Sequence, residues 1–269
     1  LWRRKLGASR TATLFEREGA EVVLGPTLRK LATAATFNPS LPYLSFLCIN
    51  FDAPVVKEAA SWFLGGVFLN YNSSYLERAL EQMLDEADSP EVTRFLRAVD
   101  VRIDGFRVEK APEGRGQRVF VRHDVDGKGY ELRLSEESAG TQKLMGLAAF
   151  LLAALERGGT VVVDELDAKL HPKLLRYVIL LFKDPEVNKH GAQLIFSSQD
   201  VSTMRNDVFR RDEIWFAARG EGEASQLWSL ADIHEANGNL VSKNAAFDKQ
   251  YLSGRYGADP YLTRIEEWD

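Results

Sequence analysis

Val161-Val162-Val163-Asp164-Glu165 is the stretch that decides the fold of this 269-residue chain. The β-branched run from Thr160 to Val163 predicts a short strand buried on both faces, which is typical of a parallel sheet. A helix is predicted from Pro172 to Phe182, and a second apolar strand from Gln193 to Phe196. Strand, helix and strand in this order make a βαβ unit, in which the helix crosses over between two parallel strands. The centre of the chain is therefore α/β.

Two adjacent carboxylates, Asp164 and Glu165, end the first strand. A buried strand has no structural need for the second charge, and one interpretation of the pair is phosphate chemistry. In this interpretation Asp164 holds Mg²⁺ through water, and Glu165 polarises the water molecule that attacks. The alternative is a pair of ordinary solvated acids at a strand end. The pair alone leaves both open, and its sequence neighbours decide between them.

An anion site is predicted upstream, where a helix with an apolar stripe from Leu144 to Leu155 begins. The segment Glu137 to Lys143 places a hydroxyl residue, Ser138, and a glycine, Gly140, at the N-terminus of this helix. Exposed N–H groups and the positive end of the helix dipole attract anions there. A glycine also lets the backbone approach a phosphate closely. An ordinary helix cap, supplied by Ser138 or Thr141, is the alternative.

Polar residues also follow the second strand, as Ser197-Ser198-Gln199-Asp200. Parallel strands place their carboxyl ends at one edge of the sheet, where α/β folds bind ligands. We therefore expect this segment to lie beside Asp164 and Glu165. His171 stands just before Pro172 at the start of the crossover helix. We assign it a structural role, because no second His or Cys stands at the spacing of metal ligands.

The remaining segments are assigned from their apolar periodicity. Before the βαβ unit we predict a hairpin over Thr11 to Val23, helices over Thr27 to Phe37, Val55 to Phe63 and Tyr75 to Glu86, a short helix after Pro90, and an antiparallel β lobe over Val99 to Leu134 with a turn at Asp126-Gly127. After it we predict a hairpin of Glu213 to Ala218 and Gln226 to Leu230 at the edge of the parallel sheet, and a weakly helical stretch from Lys243 to Asp269.

Composition narrows the class of protein. The chain is 45% hydrophobic and 27% charged, which is ordinary for a globular protein, and its net charge of −5 gives no sign of a freestanding electrostatic grip on nucleic acid. The single cysteine, Cys48, lies in an apolar run and is expected to be a reduced core residue of a cytoplasmic protein. No apolar run reaches the roughly 20 residues that cross a bilayer, so no membrane partner is expected.

Three segments together resemble the bacterial AAA15/AAA21 group of ABC-type ATPases, relatives of the overcoming-lysogenization-defect and abortive-infection ATPases. They are Leu134 to Asp200, Arg210 to Phe216 and Tyr251 to Ala258. The resemblance is specific from Ser135 onward and loose before Val99. It implies a head that binds and hydrolyses ATP with Mg²⁺ and sandwiches two nucleotides in a homodimer. It also implies a role in antiphage defence or DNA maintenance, with an effector protein (a nuclease or toxin) or DNA as partner.

The resemblance also implies roles for single residues. Ser138 and Gly140 match the signature residues that touch the γ-phosphate in the partner's site. Asp164 matches the residue that holds Mg²⁺, and Glu165 matches the catalytic base. Asp167 matches the D-loop aspartate, and Gln199 stands at the position of the switch histidine. Gln199 departs from that pattern, because a glutamine amide can donate a hydrogen bond to phosphate but never carries a positive charge. This departure argues against fast hydrolysis.

A second departure concerns the phosphate loop. No Gly-x-x-x-x-Gly-Lys-Ser/Thr occurs in the chain. In the group it resembles, that loop precedes the strand similar to Leu14 to Arg17. We therefore expect the loop before Leu1, and we expect the chain alone to be inactive as an ATPase.

The expected fold is an α/β ABC-type ATPase head with a mixed sheet, an antiparallel β lobe and a helical insertion, without its N-terminal phosphate-loop segment. We predict three parts: residues 1–98 hold the β hairpin and helical insertion, 99–134 the antiparallel lobe, and 135–269 the signature, Walker B and switch half of the core. The rival hypothesis is a degenerate, non-catalytic head that serves dimerisation or effector binding. Gln199 favours the rival and Glu165 argues against it. The sequence upstream of Leu1 would separate the two.

Overall fold

The computed structural model describes residues 1–4, 9–31, 37–70, 90–99, 103–110, 117–219, 224–235 and 238–258. The chain divides into two compact units, Leu1–Gly66 and Val67–Asp269. The predicted helix from Tyr75 to Glu86 lies outside the described residues. The predicted division into parts 1–98, 99–134 and 135–269 stays a prediction.

The first unit consists of short antiparallel pairs and two helices. Its elements are β1 (Trp2–Arg4), β2 (Thr11–Thr13), β3 (Phe15–Glu18), β4 (Glu21–Leu24), α1 (Tyr43–Asn50) and α2 (Pro54–Leu64). β1 pairs with β2, and β3 with β4 around a turn in which Gly19 has a φ of 57°. The β3–β4 pair confirms the predicted hairpin, and α2 confirms the helix predicted from Val55.

The helix predicted from Thr27 to Phe37 is wrong in its described part. Arg29–Leu31 forms one 3₁₀ turn, and residues 32–36 lie outside the described part of the chain. The amides of Leu28 and Leu31 donate to carbonyls three residues back, which gives the tighter 3₁₀ pattern. Leu28 is buried in the core of this unit, so its apolar spacing reflects an anchored turn rather than a helical face.

The second unit contains the predicted α/β core. Its elements are β5 (Val67–Asn70), α3 (Pro90–Ala98), β6 (Gly105–Lys110), β7 (Gln117–Val125), β8 (Lys128–Arg133), α4 (Ala139–Arg157), β9 (Thr160–Asp164), α5 (Pro172–Lys183), β10 (Gln193–Phe196), β11 (Trp215–Arg219), β12 (Ser225–Ser229) and α6 (Phe247–Leu252).

A three-stranded parallel sheet lies at the centre of this unit, with β9 between β10 and β5. Val161 and Val163 of β9 are buried, as the β-branched run predicts. The register pairs Phe196 with Val163 and Asn70 with Asp164, so all three strands end at the same edge. The predicted βαβ unit, β9–α5–β10, is confirmed.

The helix α4 packs its apolar stripe into the main core of this unit. The buried residues of this core include Leu144, Leu147, Leu151, Val161, Val163, Leu175 and Val178. Gly158 ends the helix in the left-handed region, with a φ of 76°. A Cβ there would lie 2.3 Å from the His190 carbonyl oxygen, so only glycine fits. In the part of the chain that the structure describes, no helix is long and apolar enough to span a bilayer.

The strands β6, β7 and β8 form an antiparallel sheet in the order β6-β7-β8, joined between β7 and β8 by the predicted Asp126-Gly127 turn. Both turn residues have positive φ, as a tight hairpin requires. The predicted start of this lobe at Val99 is wrong. The Val99 amide donates to the Phe95 carbonyl, and its side chain continues the buried face of α3. Its apolar spacing therefore belongs to the helix.

The strands β11 and β12 pair as the predicted hairpin, but among the described strands they form a sheet of their own. The prediction that they lie at the edge of the parallel sheet is wrong. Their apolar residues instead build a separate small core, together with α6 and the segment after it. It contains Ile214, Phe216, Leu230, Val241, Phe247 and Tyr256. The α/β fold class predicted from the sequence is confirmed.

Candidate functional site

The carboxyl edge of the parallel sheet brings the two predicted acids to the surface. Asp164 is the last residue of β9, and Glu165 follows with a φ of 51°. A non-glycine residue in this left-handed region is strained by about 1 kcal/mol. The turn it creates stops the strand abruptly and leaves both carboxylates exposed. The surrounding contacts must hold this strained backbone in place.

Ser197, the first residue after β10, contacts both acids. Its hydroxyl donates to the Asp164 carboxylate at 2.5 Å and accepts the Glu165 N–H at 2.8 Å. The Ser197 carbonyl also accepts the Leu166 N–H at 3.0 Å. The sequence predicted a polar segment beside the acids, but it did not single out Ser197. The sequence signal that could have identified Ser197 was a small hydroxyl residue directly after the neighbouring strand.

Asp167 and Gln199 meet at the same edge. The Gln199 backbone N–H donates to Asp167 Oδ2 at 3.2 Å, and the Gln199 side chain is exposed. Asp167 Oδ1 is buried and has no hydrogen-bond partner among the residues that the structure describes. An unpaired buried carboxylate oxygen is unfavourable by about 1–3 kcal/mol. Asp167 therefore has an acceptor available for a group from outside these residues.

The predicted anion site lies at the start of α4. The Ser138 hydroxyl accepts the Thr141 N–H at 3.1 Å, so Ser138 caps the helix and also remains exposed. A Cβ on Gly140 would lie 3.0 Å from the Lys169 carbonyl oxygen. The first turn of α4 thus packs against the loop that follows Glu165, and the tight approach favours glycine.

Lys143, on the next turn of α4, was missed by the sequence analysis. Its side chain is buried, and Nζ donates to the carbonyl oxygens of Glu165 at 2.6 Å and Ala168 at 2.8 Å. Burial lowers the pKa of Lys143 to about 8, against the opposing attraction of the Asp167 and Glu165 carboxylates. The only sequence signal for this buried lysine was its place beside an apolar helical stripe. A lysine in that place usually lies on the solvated face of the helix.

The pKa of Lys143 predicts a pH-dependent stability. Between about 8 and its ordinary value of 10.5, the unfolded chain binds this proton and the folded chain does not. The free energy of unfolding therefore rises with pH in this window, by at most about 1.4 kcal/mol per pH unit. Below the window both states are charged, and the full penalty of burying the charge applies.

Urea unfolding of the parent chain and of Lys143→Met at several pH values between 7.5 and 10.5 measures this effect. As the pH rises through this range, the unfolding free energy of the parent should increase relative to that of Lys143→Met. A difference that stays constant across the window would contradict the lowered pKa.

The carboxyl edge of the sheet fits a divalent cation whose shell is completed by a nucleotide. Within the described ranges, no group of three or more His, Cys, Asp or Glu side chains could hold a metal. Mg²⁺ in nucleotide sites needs only one or two carboxylates, because phosphate oxygens and waters complete its shell. The exposed Asp164 carboxylate, steadied by the Ser197 hydroxyl, supplies hard oxygen ligands of this kind. His171 instead caps α5, where Nδ1 accepts the Lys173 N–H.

Comparison with solved structures found weak likeness to Smc ATPase heads. The chain is 18% identical to the Smc head domain of Pyrococcus yayanosii with a coiled coil and joint, covering 55% of this chain and 26% of that one at a TM-score of 0.38. It is 18% identical to the Pyrococcus furiosus Smc head bound to the C-terminal domain of ScpA, covering 52% of this chain and 34% of that one at a TM-score of 0.34.

A third structure comes from work on ATP-driven dimerization and DNA-stimulated activation of SMC ATPases. There the identity is 16%, the coverage 57% of this chain and 82% of that one, and the TM-score 0.34. At these TM-scores the likeness carries no information about function. The search of curated proteins found no match.

Residues 24–205, more than half of the chain, match AAA_21, described as "AAA domain, putative AbiEii toxin, Type IV TA system". The matched range includes the start of α4, both acids, Asp167 and Gln199. This chain belongs to the AAA_21 family of AAA domains.

Proposed function

We propose that this domain binds and hydrolyses ATP with Mg²⁺, as one half of a dimeric ABC-type head. The observation that carries the proposal is the exposed Asp164–Glu165 pair at the carboxyl edge of the parallel sheet. Ser197 holds the Asp164 carboxylate and the Glu165 N–H together from the neighbouring strand. Family membership supports a nucleotide as the ligand of this edge.

Each side chain at this edge has a proposed role. Asp164 holds Mg²⁺, and the bound ion supplies charge neutralisation for the phosphates. Glu165 orients the attacking water molecule and accepts its proton. Gln199 lies beside Asp167 and donates a hydrogen bond from its amide to the γ-phosphate.

A dimer completes the proposed site. Ser138 and Gly140, at the start of α4, bind the γ-phosphate held by the second protomer, since a helix N-terminus with an exposed hydroxyl favours anions. Asp167 Oδ1, which has no hydrogen-bond partner in the described part of the chain, offers an acceptor to the second protomer or to the attacking water. We further propose a cytoplasmic role in phage defence by abortive infection, with a nuclease or toxin as effector and DNA as a further partner. The family description, which names a putative AbiEii toxin and a type IV TA system, supports only the link to a toxin system.

A degenerate head remains the second candidate, because Gln199 stands where a histidine would stabilise charge. Mg²⁺-dependent ATP turnover by the full-length protein separates the two candidates. If the protein is an enzyme, turnover is measurable and depends on Glu165. If it is a degenerate head, no turnover is measured.

Replacing Gln199 by histidine should raise turnover. A protonated imidazole stabilises the charge that develops in the transition state better than a neutral amide does. We expect an increase of about tenfold, which corresponds to about 1.4 kcal/mol of barrier. Turnover and melting temperature of Gln199→His should be measured together, with Gln226→His on the exposed hairpin strand β12 as control. An unchanged rate with a shifted melting temperature would assign Gln199 a purely structural role.

A further inference from the structure

The ammonium group of Lys143 lies inside the turn that carries the catalytic carboxylate. The side chain is 2% exposed, and Nζ donates to the carbonyl oxygens of Glu165 and Ala168, the first and last residues of that turn. It thereby ties both ends of the turn to one point on α4.

Glu165 needs support of this kind. Its φ of 51° is strained for a residue with a side chain, so the direction of its carboxylate depends on contacts outside the turn. Ser197 accepts the N–H on one side of the Glu165 Cα, and Lys143 binds the carbonyl on the other side. The two peptide groups that set the Glu165 side-chain direction are therefore held from two different places, the residue that follows β10 and the helix α4.

The same helix carries the proposed phosphate-binding turn. Lys143 lies on the turn of α4 next to Ser138 and Gly140. A Cβ on Gly140 would lie 3.0 Å from the carbonyl oxygen of Lys169, just beyond the turn that Lys143 holds. Two independent contacts thus join the start of α4 to the loop after Glu165 within one protomer.

A purely stabilising role does not explain the residue. A buried ammonium must lose its hydration, and apolar residues of similar volume at such sites are often as stable or more stable. The lowered pKa of Lys143 reports this same penalty. The hydrogen bonds from Nζ to two carbonyl oxygens offset part of this desolvation penalty and also hold the turn in place.

We propose that Lys143 is a positioning residue that fixes the direction of Glu165 and couples it to the phosphate-binding turn of the same protomer. This inference rests on the proposed ATPase function. Lys143 acts through the backbone of Glu165, whose carbonyl oxygen accepts its hydrogen bond.

Lys143→Met in the full-length protein tests the proposal, because methionine fills a similar volume without donating. We expect kcat for ATP to fall about 100-fold, the typical consequence of misplacing a catalytic group by about 1 Å. The KM for ATP should change by less than about threefold, because the nucleotide contacts are retained. Without nucleotide, amide exchange in the peptide 164–170 should become about tenfold faster, while the peptide 174–182 of α5 is unchanged.

Two control variants separate positioning from stability. Lys189→Met makes the same chemical change at an exposed lysine and should leave all three measurements unchanged. Leu151→Ala lowers stability from the buried face of α4 and should reduce the melting temperature without lowering kcat per folded molecule. If Lys143→Met keeps the parental kcat while Glu165→Gln abolishes turnover, the positioning role is wrong and the ATPase stands. If neither variant changes turnover, the proposed ATPase site is itself wrong.

Discussion

Glu165→Gln in the full-length protein should lower ATP turnover about 1,000-fold while leaving ATP binding intact, because a positioned general base contributes a factor of this order. The amide is nearly isosteric with the carboxylate, and the turn is held by the Glu165 backbone rather than by its side chain. The strand edge and the Asp164–Ser197 contact therefore persist in the variant. Only the proton acceptor is lost.

The expected product is a trapped, ATP-bound dimer. Phosphate release measures the turnover, and light scattering with and without Mg-ATP measures the mass. Glu186→Gln, which makes the same change at an exposed acid before β10, should behave like the parent. Parental turnover in Glu165→Gln would remove Glu165 from the mechanism. Loss of turnover together with loss of ATP binding would assign Glu165 to binding instead.

Ser138→Asp should strongly lower turnover without destabilising the fold. Aspartate caps a helix as well as serine does, so α4 keeps its N-cap and the melting temperature should not fall. The added negative charge would lie where the proposed γ-phosphate of the second protomer binds, and we expect turnover to fall by on the order of 100-fold. Ser138→Asn supplies a neutral helix cap of the same size as aspartate, and its turnover should fall much less. Equal losses in both variants would contradict the electrostatic role.

Mixing the two inactive proteins then tests the dimer. In a Glu165→Gln/Ser138→Asp heterodimer one site receives both defects, and the other pairs an intact Glu165 with an intact Ser138. Random exchange of subunits should therefore restore about a quarter of the parental turnover, since half of the dimers carry one intact site of two. No recovery in a mixture shown to contain heterodimers would rule out independent sites shared between protomers.

The sequence alone was sufficient to predict the α/β core. A β-branched strand, a crossover helix and a second strand are local patterns, each set by the period of its own apolar residues. Because parallel strands end at one edge, the order of these elements also predicted that Ser197 to Asp200 would lie beside Asp164 and Glu165. The helix start at Ser138 was readable for the same reason, since a cap is a contact between residues three apart.

Local periodicity misassigned elements where one pattern overlapped another. Val99 was assigned to a strand although it completes the helical face of α3, and the four-residue strand β5 carried too short a pattern to be recognised. The β11–β12 hairpin was recognised, but its neighbours were not. Its place is set by a small core built with α6, a segment distant in sequence.

Only the tertiary structure decided how the candidate site is held. The contacts of Ser197 with the two acids and of Lys143 with the Glu165 turn join residues 22 to 33 positions apart. The burial of Lys143 is likewise set by a loop that packs over α4, not by its own neighbours in sequence. Sequence patterns report the periodicity of single elements. Contacts between distant elements depend on how those elements pack, and these contacts fix the strained Glu165 backbone and lower the pKa of Lys143.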